Sequence, residues 1–196
     1  MKKLMMIAVM AIFAMTASAQ NINREVGAFT LQPKVGLALG SFSGEYITTV
    51  GGDTKPKTRV GFTAGLEGEI YATNWLGIAL GLNYAQQGWK FGDVKCKYDY
   101  LNVPLVADFY VARGLALKTG VQLGFLMNAK EGDKDIKDIC NKTNFSIPIG
   151  ISYEFSNVVL DLRYNVALSK VNKNATDNYK YRSDLVQFTI GYKFEL

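Results

Sequence analysis

The last twelve residues, Leu185 to Leu196, constrain the fold more than any other stretch. Every second residue gives Phe188, Ile190, Tyr192, Phe194 and Leu196; the others are Gln187, Thr189, Gly191, Lys193 and Glu195. One face is apolar and the other polar or small, which is the alternation of a β-strand lying between two unlike environments. A soluble sheet rarely leaves so apolar a strand at its edge, whereas a membrane-spanning barrel needs its last strand to close against its first.

Seven earlier runs carry the same period: Lys34–Ser41, Val60–Tyr71, Trp75–Gln86, Tyr98–Val111, Leu115–Leu126, Thr143–Phe155 and Val158–Leu168. The gaps between them alternate. Short ones follow the second, fourth and sixth runs; long ones span Phe42–Arg59, Gln87–Lys97, Met127–Lys142 and Ser169–Tyr181. Runs of about ten residues suffice to cross the hydrocarbon when tilted. An even strand number with tight periplasmic turns and longer outside loops is the layout of outer-membrane barrels. The expected fold is therefore all-β: a single up-and-down antiparallel transmembrane barrel of about eight strands. Pro104 and Pro148 interrupt this pattern, since each removes a ladder hydrogen bond, and a bulge or weakened pairing is expected beside them.

Alternation alone does not say which face is outside, because a lipocalin-like soluble barrel has the same period turned inside out. Composition decides it. The non-apolar face is crowded with small residues (Gly77, Ala79, Gly81, Gly120, Gly124, Gly150), whereas a water-facing exterior carries many Lys and Glu. Tyr71, Trp75, Trp89, Phe109, Phe125, Phe145, Phe155 and Phe194 gather near strand ends, as interfacial girdles do. Large aliphatic residues occupy the apolar face of every strand. Register is then strict: slipping the seventh strand by one residue places Asp161 and Arg163 in lipid, at about 2–4 kcal/mol for a mid-depth Arg alone.

The chain opens with Lys2-Lys3, an apolar run from Leu4 to Met15, and Thr16-Ala17-Ser18-Ala19. This reads as a signal peptide, 1–19, cleaved near Ala19, leaving one barrel domain, 20–196. Removing the two lysines takes the formal charge from +5 to +3. That is too mild, and too scattered, for a nucleic-acid surface. No later run is apolar enough for a membrane helix. The expected address is the outer membrane of a Gram-negative bacterium, with outer-membrane lipid and lipopolysaccharide as surroundings.

The inward set contains Lys34, Glu67, Glu69, Asp108, Lys118, Glu154, Asp161, Arg163 and Lys193. Eight strands enclose a lumen just wide enough to be filled by side chains, so these mixed charges are expected to pair as a plug. Glu67 and Glu69 share a face, but with Lys118 and Arg163 available as counter-ions pairing outweighs acid–base work. The chain has no His, which removes Ser-His-Asp and Cys-His sites and His metal ligation. No catalytic, metal or cofactor residue is assigned, and no enzymatic activity is expected. Cys96 and Cys140 fall in two outside loops and invite a disulfide in an exported chain, with free thiols and interchain pairing as alternatives. The charged loop Lys130–Asp138 has Lys137 where a calcium loop wants Asp or Asn, and reads as solvated.

Several segments together resemble the small outer-membrane barrels called porin-family or PorT-like, common in Bacteroidota. They are Gly61-Phe62-Thr63-Ala64-Gly65, Asn83-Tyr84-Ala85-Gln86-Gln87-Gly88, Tyr100-Leu101-Asn102-Val103-Pro104-Leu105, Leu160-Asp161-Leu162-Arg163-Tyr164 and Gly191-Tyr192-Lys193-Phe194. That family often has Glu where Asn83 and Asn102 stand, and outer-membrane barrels favour a terminal Phe where Leu196 stands. Phe188, Ile190, Tyr192, Phe194 and Leu196 are the expected signal to the barrel-assembly machinery. The resemblance implies a fold and an address more than an activity. Three roles follow: a structural or surface-interaction barrel, a narrow porin-like channel for ions or small solutes, or an accessory subunit of a secretion or uptake complex with a partner protein.

Overall fold

A computed structural model describes residues 24–43, 57–91, 94–132, 134–169 and 182–196; the expected signal segment lies outside them. Eight long strands build the fold: β1 (Phe29–Ser43), β2 (Lys57–Thr73), β3 (Leu76–Phe91), β4 (Val94–Ala112), β5 (Leu115–Glu131), β7 (Thr143–Phe155), β8 (Val158–Ala167) and β9 (Arg182–Tyr192). Two short pieces accompany them, β6 (Lys134–Asp135) beside β5 and β10 (Phe194–Glu195) beside β1. All pairings are antiparallel between sequence neighbours, and β9 returns to β1 from Lys34↔Gly191 to Ser43↔Arg182. The sheet is a closed eight-stranded barrel.

Side-chain parity follows the sequence pattern. Val35, Leu66, Leu80, Leu123, Ile149, Leu162, Phe188 and Ile190 project from the outer wall, and Leu80 is 58% exposed. Long polar residues point inward, and Arg163, among the largest of them, is 2% exposed. A protein surface with this much contiguous aliphatic area is stable only against hydrocarbon. The small inward residues make room for the charges: a Cβ on Gly77 collides with the Glu69 carboxylate, and one on Gly81 comes within 3.5 Å of Glu67 Oε2.

Three prolines mark the wall. Each lies beside a two-residue gap in the ladder while the register on either side is kept. Pairing skips from Leu80↔Leu105 to Asn83↔Asn102 beside Pro104, and from Thr119↔Ile149 to Gln122↔Ser146 beside Pro148. The expected disturbance is thus weakened pairing without a bulge. Pro33 does the same at the seam, between Leu31↔Phe194 and Lys34↔Gly191. The last strand, expected as continuous to Leu196, breaks there. Lys193 gives its backbone N–H to Asn157 O at 2.7 Å and accepts from Asn157 Nδ2 at 3.0 Å, before β10 resumes.

Other boundaries differ from expectation. The connection expected over Gln87–Lys97 is mostly sheet, with Gln87↔Tyr98 and Phe91↔Val94 still paired. Likewise β5 runs to Glu131, and β6 folds back on it through Lys130↔Asp135. Lys97 and Lys130, paired and both exposed, occupy outward positions there, so these extensions stand beyond the apolar band. Tyr71, expected in the girdle, is 5% exposed and points inward, because it shares parity with Glu67 and Glu69. Tyr153, which by alternation with Ile151 and Phe155 belongs to the apolar face, is also buried, its ring lying close to Gly114. The other girdle residues whose side chains are described do face outward, and Trp75 stacks on Phe109 at 6.2 Å. Trp89 lies outside the described side chains.

The tight turns have local causes. Gly114 has φ +75°, a conformation that favours glycine, and a Cβ there meets the Glu154 carbonyl. Glu154 N–H in turn donates to Gly114 O at 2.7 Å. If the outer wall meets lipid, Leu80→Arg lowers stability by about 2–4 kcal/mol in urea titrations in phospholipid vesicles. A loss smaller than about 0.5 kcal/mol, the usual effect of a surface substitution, contradicts that wall assignment.

Candidate functional site in the charged lumen

Every inward charge expected from the sequence is buried, between 1% and 8% exposed, and the charges separate into two neutral groups. The middle group joins three cations, Lys34, Lys118 and Arg163, to three carboxylates, Glu67, Asp108 and Asp161. Glu67 is its hub. Lys34 pairs with Glu67 Oε2, Lys118 reaches Oε1 at 3.3 Å, and Arg163 Nη2 reaches Oε2 at 3.2 Å. Lys118 also holds Asp108 at 2.8 Å and Asp161 at 3.2 Å, and Arg163 holds Asp161 at 2.8 Å. These six side chains come from β1, β2, β4, β5 and β8.

The second group lies toward the tight-turn end. Lys193 pairs with Glu69 at 2.8 Å and Glu154 at 3.2 Å, and donates to the Tyr71 and Tyr110 hydroxyls at 3.1 and 2.9 Å. The Tyr110 hydroxyl donates to Glu69. Arg24 completes the balance, two cations against two carboxylates. Its Nη2 lies 3.3 Å from Glu154 Oε2, and its guanidinium stacks 3.6 Å over the Tyr110 ring. Glu67 and Glu69, two residues apart, therefore serve different groups and share no site. An isolated buried ion costs several kcal/mol, so such a lattice is tolerable only when each member has opposite charge in contact.

Toward the other end the lumen turns uncharged. Thr63, Asn83, Asn102, Gln122, Ser146, Asn165 and Gln187, one from each strand except β1, are all at most 5% exposed. Asn165 Nδ2 donates to Gln187 Oε1 at 2.9 Å, Gln187 Nε2 to Thr63 Oγ1 at 3.0 Å, and Gln122 Nε2 to Ser146 Oγ at 3.2 Å. Among the described residues, both amide atoms of Asn102 and the oxygens of Asn83, Gln122 and Asn165 meet no hydrogen-bond partner.

Sequence reading missed three parts of this arrangement. Arg24 precedes any alternating run and meets a partner 130 residues away, so nothing local marks it. Tyr71 carries the parity signal but looks like a girdle aromatic, and Tyr110, on the inward face of its strand, gives no sign of its charged partners. The amide belt was visible only as a polar face.

Beyond the belt, Cys96 and Cys140 are buried thiols in one cluster with Tyr98, Tyr100, Leu126 and Ala129, against which Ile136 packs. Cys96 lies on the part of β4 that projects past the apolar band. Burial and the nearby Glu131 push its thiol up to about 11, so it is a weak nucleophile at neutral pH. Among the described residues, no group of three or more His, Cys, Asp or Glu is placed to hold a metal ion.

A closed barrel with a lipid-compatible wall and an ion-paired interior defines a small integral outer-membrane protein. The chain belongs to the family described as outer membrane protein beta-barrel domain, whose profile matches residues 18–173. Its location is the outer membrane of a Gram-negative bacterium. In fold it is similar to Ail, the attachment invasion locus protein of Yersinia pestis, with TM-score 0.51 and 17% identity over 87% of this chain and 100% of that one. Neisserial surface protein A (NspA) is similar at TM-score 0.51 and 18% identity, over 87% of this chain and 99% of that one. A search of curated protein sequences finds no match.

The lattice and the belt respond differently to truncation. Glu67→Ala strands three cations and costs about 3–5 kcal/mol. Asn102→Val removes two orphaned polar atoms and is neutral or stabilising by about 1 kcal/mol. Urea midpoints of the refolded variants, compared with wild type, check both signs.

Proposed function

We propose that the protein is a structural or surface-interaction barrel whose lumen carries no bulk flow. One observation carries this reading: ten buried charges, six in one neutral group and four in the other, occupy the lumen side by side and contact one another directly. A conducting pore of this strand number needs mobile or hydrated charges along its path, whereas each of these contacts at least one opposite charge, and Glu67 and Lys118 contact three. With the interior committed to holding the barrel, contact with lipopolysaccharide or a partner protein falls to the outward loops. The absence of His supports a non-enzymatic role. Membership of the PorT-like barrels of Bacteroidota, and dependence on the barrel-assembly machinery through the last strand, belong to the same proposal.

Planar-bilayer recording tests it. Folded wild-type protein is expected to give no steps above the bare-bilayer background at neutral pH. Steady unitary openings from wild type, altered in Glu67→Ala or Arg163→Ala without loss of stability, would replace the plug by a narrow channel. A tag inserted at Gly51-Gly52 leaves the closing strand intact, and a stoichiometric companion captured from native outer membranes would assign an accessory-subunit role instead.

A further inference from the structure

We propose that Cys96 and Cys140 form an intrachain disulfide that fastens the β5–β7 connection across the loop-end mouth of the lumen. This stands apart from the proposed role, since the bond is present or absent whether or not the barrel conducts.

Two independent elements bring the two cysteines, unbonded thiols in this structure, into one cluster. Cys96 sits on the projecting part of β4, buried on the same face as Tyr98 and Tyr100, which puts it over the lumen. Cys140 arrives from the other side. After β6, Ile136 N–H donates to Ala129 O at 3.0 Å and Lys137 Nζ to Met127 O at 2.9 Å, so the connection is folded back onto β5. A single 3-10 turn, Lys137–Ile139, then closes with Cys140 N–H on Lys137 O at 3.3 Å and delivers Cys140 into the cluster at 4% exposure. The chain's two cysteines thus meet in one buried cluster although 44 positions separate them.

Chemistry favours a bond over a reactive thiol. The neighbours are aromatic and aliphatic, and burial and the acidic Glu131 both act against a thiolate at Cys96. An exported chain traverses an oxidising compartment before it reaches the outer membrane. There each thiol gives up one proton, one S–S bond forms, and the two electrons pass to the disulfide of a periplasmic thiol-oxidising protein. That protein leaves as its dithiol, by way of a mixed disulfide.

The test uses the full chain exported to the outer membrane of a Gram-negative host, with folded barrels identified by heat-modifiable migration. Wild type denatured with a polymer-linked maleimide is expected to take no label before reduction and two labels after it; Cys96→Ser takes one label without reduction. Two labels on unreduced wild type, or a reductant-sensitive dimer, overturns the bond. Trypsin tests the fastening, because Lys134 and Lys137 lie between the two cysteines in sequence. Cleavage in the connection is expected to be several-fold faster in the folded Cys96→Ser/Cys140→Ser variant than in wild type. Equal rates overturn the fastening even if the bond forms. If the double variant does not reach the folded state, the wild-type label count decides the bond by itself.

Discussion

Hydrocarbon supplies no partner for a backbone N–H or C=O, and that constraint lies under every other feature of this molecule. It forces the sheet to close, which makes the seam between β1 and the end of the chain the condition for the fold. The seam is also where the pattern is least regular. Pro33 has no N–H to offer β9, and the chain compensates by turning Lys193 toward Asn157 and resuming as β10 against Thr30 and Leu31. The break leaves parity intact, and Lys193, inward like Gln187, Thr189 and Gly191, lies among Glu69, Glu154, Tyr71 and Tyr110.

Closing the wall leaves an interior that eight strands cannot keep empty. Its contents are graded along the axis. Ion pairs fill the turn end and the middle, uncharged amides follow, and a tyrosine, leucine and cysteine cluster covers the loop end. The charged part demands mutual contact, since any one of its ions without a partner is a severe cost. The amide belt tolerates incomplete bonding at a smaller cost per atom. The ion pairs therefore hold the turn end and the middle of the lumen, and the surface-facing end is built of uncharged contacts.

How much of this the sequence displays depends on whether an environment imposes a period. Inside the membrane each strand has lipid on one side and polar contents on the other, so residues such as Leu80 and Ile190, or Asp161 and Arg163, announce their faces. Past the apolar band that contrast disappears. The projecting parts of β3, β4 and β5, with Lys97 and Lys130 opposite each other, look like loop though they continue the ladder. Pro104 and Pro148 were legible as disturbances because proline's missing donor is a local property; Pro33 was not, lying one residue before the alternation begins. Ion partners are a matter of topology. Lys118 reaches Glu67 across the lumen, and no spacing rule on a single strand encodes that meeting.

The ten charges originate in separate parts of the chain. They are contributed by Arg24 ahead of β1, by β1, β2, β4, β5, β7 and β8, and by the residue after β9, while the inward positions of β3 offer only Gly, Ala and Asn to this region. A sheet of only the first four strands holds Lys34 against three carboxylates, Glu67, Glu69 and Asp108, along the face that must become the inside. The cations that balance this excess, Lys118, Arg163 and Lys193, are supplied by later parts of the chain. Arg24 depends on the later chain in the same way: its seat between Glu154 of β7 and the Tyr110 ring of β4 exists only once those strands flank β5, which makes the amino-terminal segment a latch that the far end of the chain must first provide for.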